Sequence, residues 1–199
     1  MRIQWALMVL CLILLVPPLP LSASLRRFLK SRRNPTASLR SLLRTWQNWV
    51  DLLRAGAGAY LLTEFVVQMN PEIPESGTKA LVLEGAVLGL ALLFQTVRLG
   101  QGVQLVAPIF YLCGFTVALG GYAAGGFAVF VGWLFTIGGK NPVYQLPIMG
   151  VALLAAGYLL DLNLRLLLAC GLIFVPLVLA FLSRRPLSLV AHERAVVPT

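Results

Sequence analysis

The sequence predicts an all-α fold, a polytopic membrane helix bundle of about seven spans with its N-terminus outside and its C-terminus in the cytoplasm. The first observation behind this prediction is composition: 59% of the 199 residues are apolar and only 12% are charged. Soluble domains carry about a quarter charged residues. The other two observations are the spacing of the apolar segments and the uneven distribution of basic residues between them. Together they predict a membrane environment and an orientation.

Seven segments are candidates to span a bilayer, which takes about 20 mostly apolar residues. They lie at residues 3–21, 52–69, 80–97, 103–120, 125–139, 143–160 and 164–182. The fifth is short, and the sequence GGYAAGG at 120–126 must supply the whole turn before it. The chain then divides into a first helix (1–21), a basic amphipathic cytoplasmic segment (22–51), a six-helix bundle (52–183) and a cytoplasmic polar tail (184–199).

The first segment also resembles a secretory signal peptide, because it combines a basic start, an apolar stretch and a small-residue exit at Ala23. Cleavage there would leave six spans. It would also put the sequence SLRRFLKSRR at the start of the exported part, where a basic cluster opposes translocation. We therefore favour an uncleaved first helix.

Basic residues set the orientation of the chain. With seven alternating spans and the N-terminus outside, 13 of the 16 Lys and Arg residues fall on the cytoplasmic side, and only Arg2, Lys79 and Arg165 fall outside. Retention of basic loops in the cytoplasm produces this asymmetry. We expect an integral protein of a bacterial inner (plasma) membrane.

Residues 39–54 have the pattern of an amphipathic interface helix. Apolar residues recur at helical spacing and include Trp46 and Trp49, while Arg40 and Arg44 lie on the polar side. Such a helix suits the inner membrane surface, with its arginines near anionic lipid head groups. It is either a plain surface helix leading into the second span or a docking site for a partner or an acidic lipid.

Two carboxylates interrupt apolar spans and are the leading site candidates. Glu64 lies six residues before Asn70 and Glu84 five after Lys79. At 1.5 Å per residue both acids lie roughly 7 to 9 Å below the outer ends of adjacent helices. Helical spacing puts Gln68 on the face of Glu64, and Gln95 with Arg98 on the face of Glu84. Both polar faces should turn toward other helices or a wet cavity.

These acids have a functional and a structural interpretation. Asp161 and Arg165 reach a similar level, so Glu64, Lys79, Glu84, Asp161 and Arg165 are predicted to form one cluster in the outer leaflet. Two close carboxylates can share a proton, as an entry site for a cation or a proton-coupled solute would require. Alternatively, the acids reach the head groups or are neutralised by Lys79 and Arg165, because shallow charges cost less than central ones.

The sequence contains no complete motif for catalysis, metal binding or cofactor binding. Cys11, Cys113 and Cys170 lie alone in separate apolar segments, and the lone histidine, His192, lies in the polar tail. The spacing of these residues does not match a metal site or a disulfide framework. No complete hydrolase, zinc-protease or phosphate-loop motif is present. We expect a protein that is not an enzyme and holds no cofactor.

Two functions fit these observations. The first is transport, by a small permease or channel-like protein that uses Glu64 and Glu84, with Gln68, Gln95 and Arg98 lining the route. The alternative is a non-catalytic accessory or assembly subunit of a membrane complex. Either would be a homo-oligomer or bind a partner membrane subunit, with no role for nucleic acid.

Overall fold

A computed structural model describes residues 2–16, 42–43, 46–68, 74–99, 103–138, 142–160 and 163–187. Seven α-helices lie within them and are numbered here in chain order: α1 Trp5–Leu15, α2 Trp46–Leu61, α3 Pro74–Thr96, α4 Ile109–Gly120, α5 Gly126–Gly138, α6 Gln145–Leu160 and α7 Leu164–Ser183. Two π-helical turns, Leu62–Val66 and Gly121–Gly125, and a 3-10 turn, Pro142–Tyr144, adjoin them. The predicted all-α class is confirmed.

Four helical runs of the described residues are long and apolar enough to cross a membrane. They are Gly77–Thr96, Ile109–Ile137, Pro142–Leu160 and Leu164–Ser183. Helix α1 is apolar but shorter, about 16 Å at 1.5 Å per residue, and residues 17–21 of the expected first span lie outside the described residues. These four helices indicate an integral membrane protein, as the composition predicts.

The run Ile109–Ile137 doubles back on itself at the glycine-rich turn. The rings of Phe110 and Trp133 lie 6.2 Å apart, whereas a straight helix would separate these residues by about 34 Å. Gly121 makes the reversal possible, because its φ of 74° is open to glycine and strained for other residues. Helices α4 and α5 therefore form a tight hairpin through GGYAAGG.

Helices α2 and α4 pack in parallel at a pair of glycines. A β-carbon at Gly114 would lie 2.7 Å from the Gly56 nitrogen and would collide with the Leu52 carbonyl. Seven residues earlier on α2, the Trp49 ring meets Phe110 at 5.7 Å. Small residues let two backbones approach this closely, so the AGAGA sequence at 55–59 supplies the central helix contact of the bundle.

Helix α1 lies antiparallel to α2 and belongs to the core. The Cys11 thiol donates to the Gly58 carbonyl at 3.2 Å. At the C-terminal end of α1 the Arg54 guanidinium donates to the Val16 carbonyl at 3.2 Å. At the opposite end the strand β1, Arg2–Ile3, pairs antiparallel with β2, Val67–Gln68. These contacts show a first helix fastened to the bundle at both ends.

The last two helices also alternate in direction. Within the described residues, α6 runs antiparallel to α7, since Gly157 lies near Leu166 and Gly150 near Phe174. The alternation is the one expected of a chain that crosses back and forth.

The chain between α3 and α4 differs from the prediction. Residues 97 and 103–105 were expected to be helical, but strands β3, Val97–Leu99, and β4, Val103–Leu105, pair antiparallel there. The next helix begins only at Ile109, because Pro108 cannot donate a backbone hydrogen bond within a helix. The second span likewise differs, since α2 begins at Trp46 and gives way at Leu62 to a π-helical turn and then to β2.

Candidate functional site

Three helices meet at the side chain of Arg165. Its Nη1 donates to Glu64 Oε1 at 2.9 Å, and its Nη2 donates to Glu84 Oε1 at 3.2 Å. The same Nη2 donates to the Thr63 carbonyl oxygen at 2.8 Å. One guanidinium therefore joins the start of α7 to the end of α2 and the middle of α3.

The position of Arg165 follows from the cap of α7. Asn163 has extended backbone angles, and its side chain accepts a hydrogen bond from the Leu166 N–H at 2.8 Å, which starts the helix. Arg165 thus lies in the first turn, where the helix dipole disfavours a positive charge. The two carboxylates compensate for this placement.

The π-helical turn at Leu62–Val66 positions the other partners of Arg165. Because the chain leaves the helix at Val67 for strand β2, carbonyls of this last turn lack helical donors. Thr63 uses its carbonyl to accept from Arg165, while its hydroxyl donates back to the Ala59 carbonyl at 3.1 Å. Single π turns of this kind are frequent at functional sites.

Burial distinguishes the two carboxylates. The Glu84 side chain has no exposed area, and its Oε2 has no hydrogen-bond partner. The Glu64 side chain is 47% exposed and that of Arg165 27%. Glu84 is therefore the buried acid of the site and Glu64 the exposed one, with Arg165 between them.

The charges of this trio do not balance. Two ionised carboxylates and one guanidinium leave a net charge of −1, at a place where one carboxylate oxygen is buried without a donor. A buried charge is costly unless it is paired and hydrogen-bonded. The arrangement favours uptake of one more positive charge, whether a proton or a cation, at Glu84.

Two other residues, Lys79 and Asp161, were expected in the same cluster. Lys79 lies exposed on α3, about 7.5 Å along the helix from Glu84, and Asp161 lies outside the described residues. Among the described residues no group of three or more His, Cys, Asp or Glu could hold a metal ion.

Of the expected route residues, only Gln95 has a described side chain. Gln95 is buried on α3 with its Nε2 unpartnered, but eleven residues separate it from Glu84, about 16 Å of helix. The backbones of Gln68 and Arg98 pair with Arg2 and Gln104 in the two short sheets. The side chains of Gln68 and Arg98 lie outside the part of the chain that the structure describes.

The polar face of α2 was expected to turn toward other helices or a wet cavity, and it lies at the edge of the bundle, where Glu64 binds Arg165 of α7 while remaining 47% exposed. Tyr60 and Glu64 lie exposed, while Ala55, Gly58 and Ala59 are buried against neighbouring helices. The small residues allow close backbone approach, so they take the interior and leave the larger tyrosine outside. On α3 the expectation holds, since Glu84, Ala91 and Gln95 are all buried.

The tryptophans of the predicted interface helix have different environments. Trp46 is 71% exposed. Trp49 packs edge-on against Phe110 and Trp133, and its Nε1 donates to the Leu43 carbonyl at 2.8 Å. Arg40 and Arg44 lie outside the described residues. Trp49 therefore helps to hold the α4–α5 hairpin as well as the end of α2.

A second buried polar contact, between Gln145 and Cys113, was not predicted from the sequence. Gln145, fully buried at the start of α6, donates to the Cys113 sulfur at 3.4 Å, and its Oε1 is unpartnered. The Met149 sulfur lies 3.9 Å from the same thiol. Sequence spacing gives no signal for this contact, because 32 residues separate Cys113 from Gln145. All three cysteines are buried and free, in keeping with core packing.

Comparison of the chain with protein-family models, curated proteins and solved structures gave no match. A fold alone does not define an activity, so function rests on the geometry of the site.

Proposed function

We propose that the protein is a small permease or channel-like protein for a cation or a proton-coupled solute, with Glu84 as its coupling group. The observation that carries this proposal is the fully buried Glu84 carboxylate with one oxygen unpartnered. An ionisable group inside a membrane span is costly and usually marks an ion or proton pathway.

The three side chains suggest how the site works. Arg165 is anchored by the Thr63 carbonyl and Glu64, so it keeps two partners whether or not Glu84 is charged. When Glu84 binds a proton, Arg165 remains paired with Glu64. When Glu84 loses it, the guanidinium serves both acids and the site can accept a cation. Glu64, exposed at the edge, is the entrance side.

We place this site toward the outer face in a seven-span topology with a cytoplasmic C-terminus. The alternating helix directions support that topology, and so does the count of 13 basic residues on the proposed cytoplasmic side. Helix α1 and the α4–α5 arms are shorter than a full span, so the bilayer must thin locally or the flanking residues must complete them. A bacterial inner membrane is the proposed compartment.

Proteoliposomes containing the full chain test the transport proposal. A pH gradient is imposed, and an internal pH dye follows its decay with Na⁺, K⁺ or Li⁺ salts outside. We expect wild-type vesicles to lose the gradient faster than empty vesicles with at least one of these ions. Glu84→Gln should remove the difference, because the amide cannot exchange a proton, while Glu64→Gln should weaken it. Wild-type vesicles that match empty ones with all three ions would contradict transport of these cations.

The second candidate function is an accessory or assembly subunit, and one surface favours it. Helix α3 presents Val82, Leu90 and Phe94 outward, and a β-carbon at Gly89 would meet nothing within 4 Å. A partner helix could pack closely on such a face. Copurification from the native host in mild detergent separates the two functions, since retention of a partner helix protein at fixed stoichiometry supports the subunit and its absence supports the permease.

A further inference from the structure

The C-terminal end of α7 has an arginine where the backbone requires a left-handed residue. Arg184 has φ 51° and ψ 32°. Its N–H donates to the Phe181 carbonyl at 3.2 Å, and the Arg185 N–H donates to the Ala180 carbonyl at 3.1 Å. This pair of bonds is the Schellman motif, whose left-handed position is usually glycine.

An arginine at that position is an unfavourable local choice. Among the described residues Arg184 alone combines a side chain with a positive φ, and an L-residue is strained in this conformation. A basic residue does complement a helix C-terminus, but any position in the last turn would serve that purpose. Backbone strain of this kind is concentrated at binding and catalytic sites.

A cleft of about 520 Å³ opens beside this strained residue. The described part of its lining is one open stretch at the end of α7 that combines apolar and basic residues: Ala180, Phe181, Leu182, Arg184, Arg185 and Pro186. Phe181 is 83% exposed and Leu182 72%. Because α7 is long and apolar enough to cross a membrane, the cleft lies where the acyl region meets the head groups.

We propose that this cleft binds an anionic phospholipid. The Arg184 guanidinium donates to the lipid phosphate, with which it forms a directional pair, and an acyl chain lies against Phe181 and Leu182. The left-handed backbone turns the chain sharply after α7 and keeps the arginine at the mouth of the cleft. About 28 Å of helix separates Arg184 from Arg165, so this site is independent of the glutamate site and of the transport proposal.

The test measures lipid binding to the purified full-length protein. Native mass spectrometry in detergent counts retained lipids during titration with phosphatidylglycerol or phosphatidylcholine. Arg184→Asn removes the charge with a residue that tolerates the left-handed conformation, and Arg184→Lys keeps the charge. Arg194→Asn, in the polar tail, is the control for loss of one charge.

We expect wild type to retain phosphatidylglycerol in preference to phosphatidylcholine. Arg184→Asn should lower the affinity for phosphatidylglycerol about fivefold, the effect of one basic residue at a membrane surface. Arg184→Lys should lose less, and Arg194→Asn should match wild type. Unfolding temperatures in detergent without added lipid should show Arg184→Asn at least as stable as wild type, because the strain is relieved.

Three results would overturn the assignment. The first is unchanged phosphatidylglycerol binding by Arg184→Asn. The second is an equal loss in Arg194→Asn, which would indicate diffuse attraction by the tail. The third is competition by glycerol phosphate as effective as that by the lipid, which would indicate a free-phosphate site without an apolar contribution.

Discussion

The Arg165 guanidinium donates a 3.2 Å hydrogen bond to Glu84, a residue with no exposed side-chain area and 81 positions earlier in the chain. This bond joins α7 to α3, which contact each other again where Gly85 lies beside Leu168. This pair joins a fully buried carboxylate to a partly exposed guanidinium, so it bears both on stability and on the proposed chemistry of the site. Its two roles can be separated by substitution.

Arg165→Met should destabilise the protein strongly. The substitution leaves Glu84 buried without its cationic partner, and breaking a buried pair costs about 3 to 5 kcal/mol. Adding Glu84→Gln should recover a large part of this loss, because the remaining buried group is then neutral. Thermal unfolding of the purified variants in one detergent measures the difference.

Glu64→Gln is the matched control for that experiment. Glu64 binds the same guanidinium but is 47% exposed, and an exposed pair contributes about 0 to 1 kcal/mol. Equal losses from Arg165→Met alone and from its combination with Glu84→Gln would contradict the buried-charge account.

Gly114→Ala should disrupt the contact between α2 and α4. The added methyl would collide with the Leu52 carbonyl and lie 2.7 Å from the Gly56 nitrogen. Because both neighbours are backbone atoms, the helices must separate, and overpacking of this kind costs about 1 to 3 kcal/mol or more. Unfolding temperature and yield in detergent report the effect.

Gly89→Ala is the corresponding control on a different helix. A β-carbon there meets nothing within 4 Å, and alanine favours helix over glycine by about 1 kcal/mol. This variant should match or exceed the wild type in stability. A loss similar to that of Gly114→Ala would show that Gly89 is packed against a second chain, as the subunit function requires.

The sequence predicts the site better than it predicts the helix faces. Helix rise is constant, so counting from the outer ends placed Glu64, Glu84 and Arg165 at one level, and the structure brings them into contact. Which face of α2 turns inward depends on Gly114, 58 residues beyond Gly56, and no local pattern contains that information. Tyr60 therefore lies outside despite its polar group.

The structure of the segment that connects α3 and α4 was also not predicted from the sequence. The β3–β4 pairing replaced helical residues at 97 and 103–105, because apolar β-branched residues such as Val97 and Val103 fit a strand as readily as a span. The buried contact between Gln145 and Cys113 was not predicted either, because the two residues are distant in the sequence. A hydropathy pattern specifies which segments are buried in the membrane, but it does not specify which side chains meet.

Tyr111→Phe should destabilise the attachment of the first helix. The Tyr111 hydroxyl donates to the Leu15 carbonyl at 2.7 Å, and both residues are buried. Loss of the donor leaves that carbonyl unsatisfied, at a cost of about 1 to 3 kcal/mol. Thermal unfolding measures it, with Tyr122→Phe, a change at an exposed tyrosine of the turn, as the neutral control.

The same contacts predict that the mature protein keeps its first helix. Cleavage after Ala23 would remove Cys11 and Leu15 from the core, and Gly58, Arg54 and Tyr111 would each lose one hydrogen-bond partner. The intact mass of protein purified from membranes should therefore include residues 1–23. A mass corresponding to a chain that begins at Ser24 would overturn this prediction.

Cysteine labelling tests the proposed orientation. Thr78 and Ser183 are exposed near opposite ends of the bundle, while the native cysteines are buried and should react slowly. With the N-terminus outside, Thr78→Cys should react with a membrane-impermeant maleimide in intact cells lacking an outer membrane. Ser183→Cys should react only after the membrane is permeabilised.

The reverse pattern would invert the topology and move the glutamate site to the inner leaflet. Labelling of both positions from one side would mean an even number of crossings between residues 78 and 183, whereas seven alternating spans put five there.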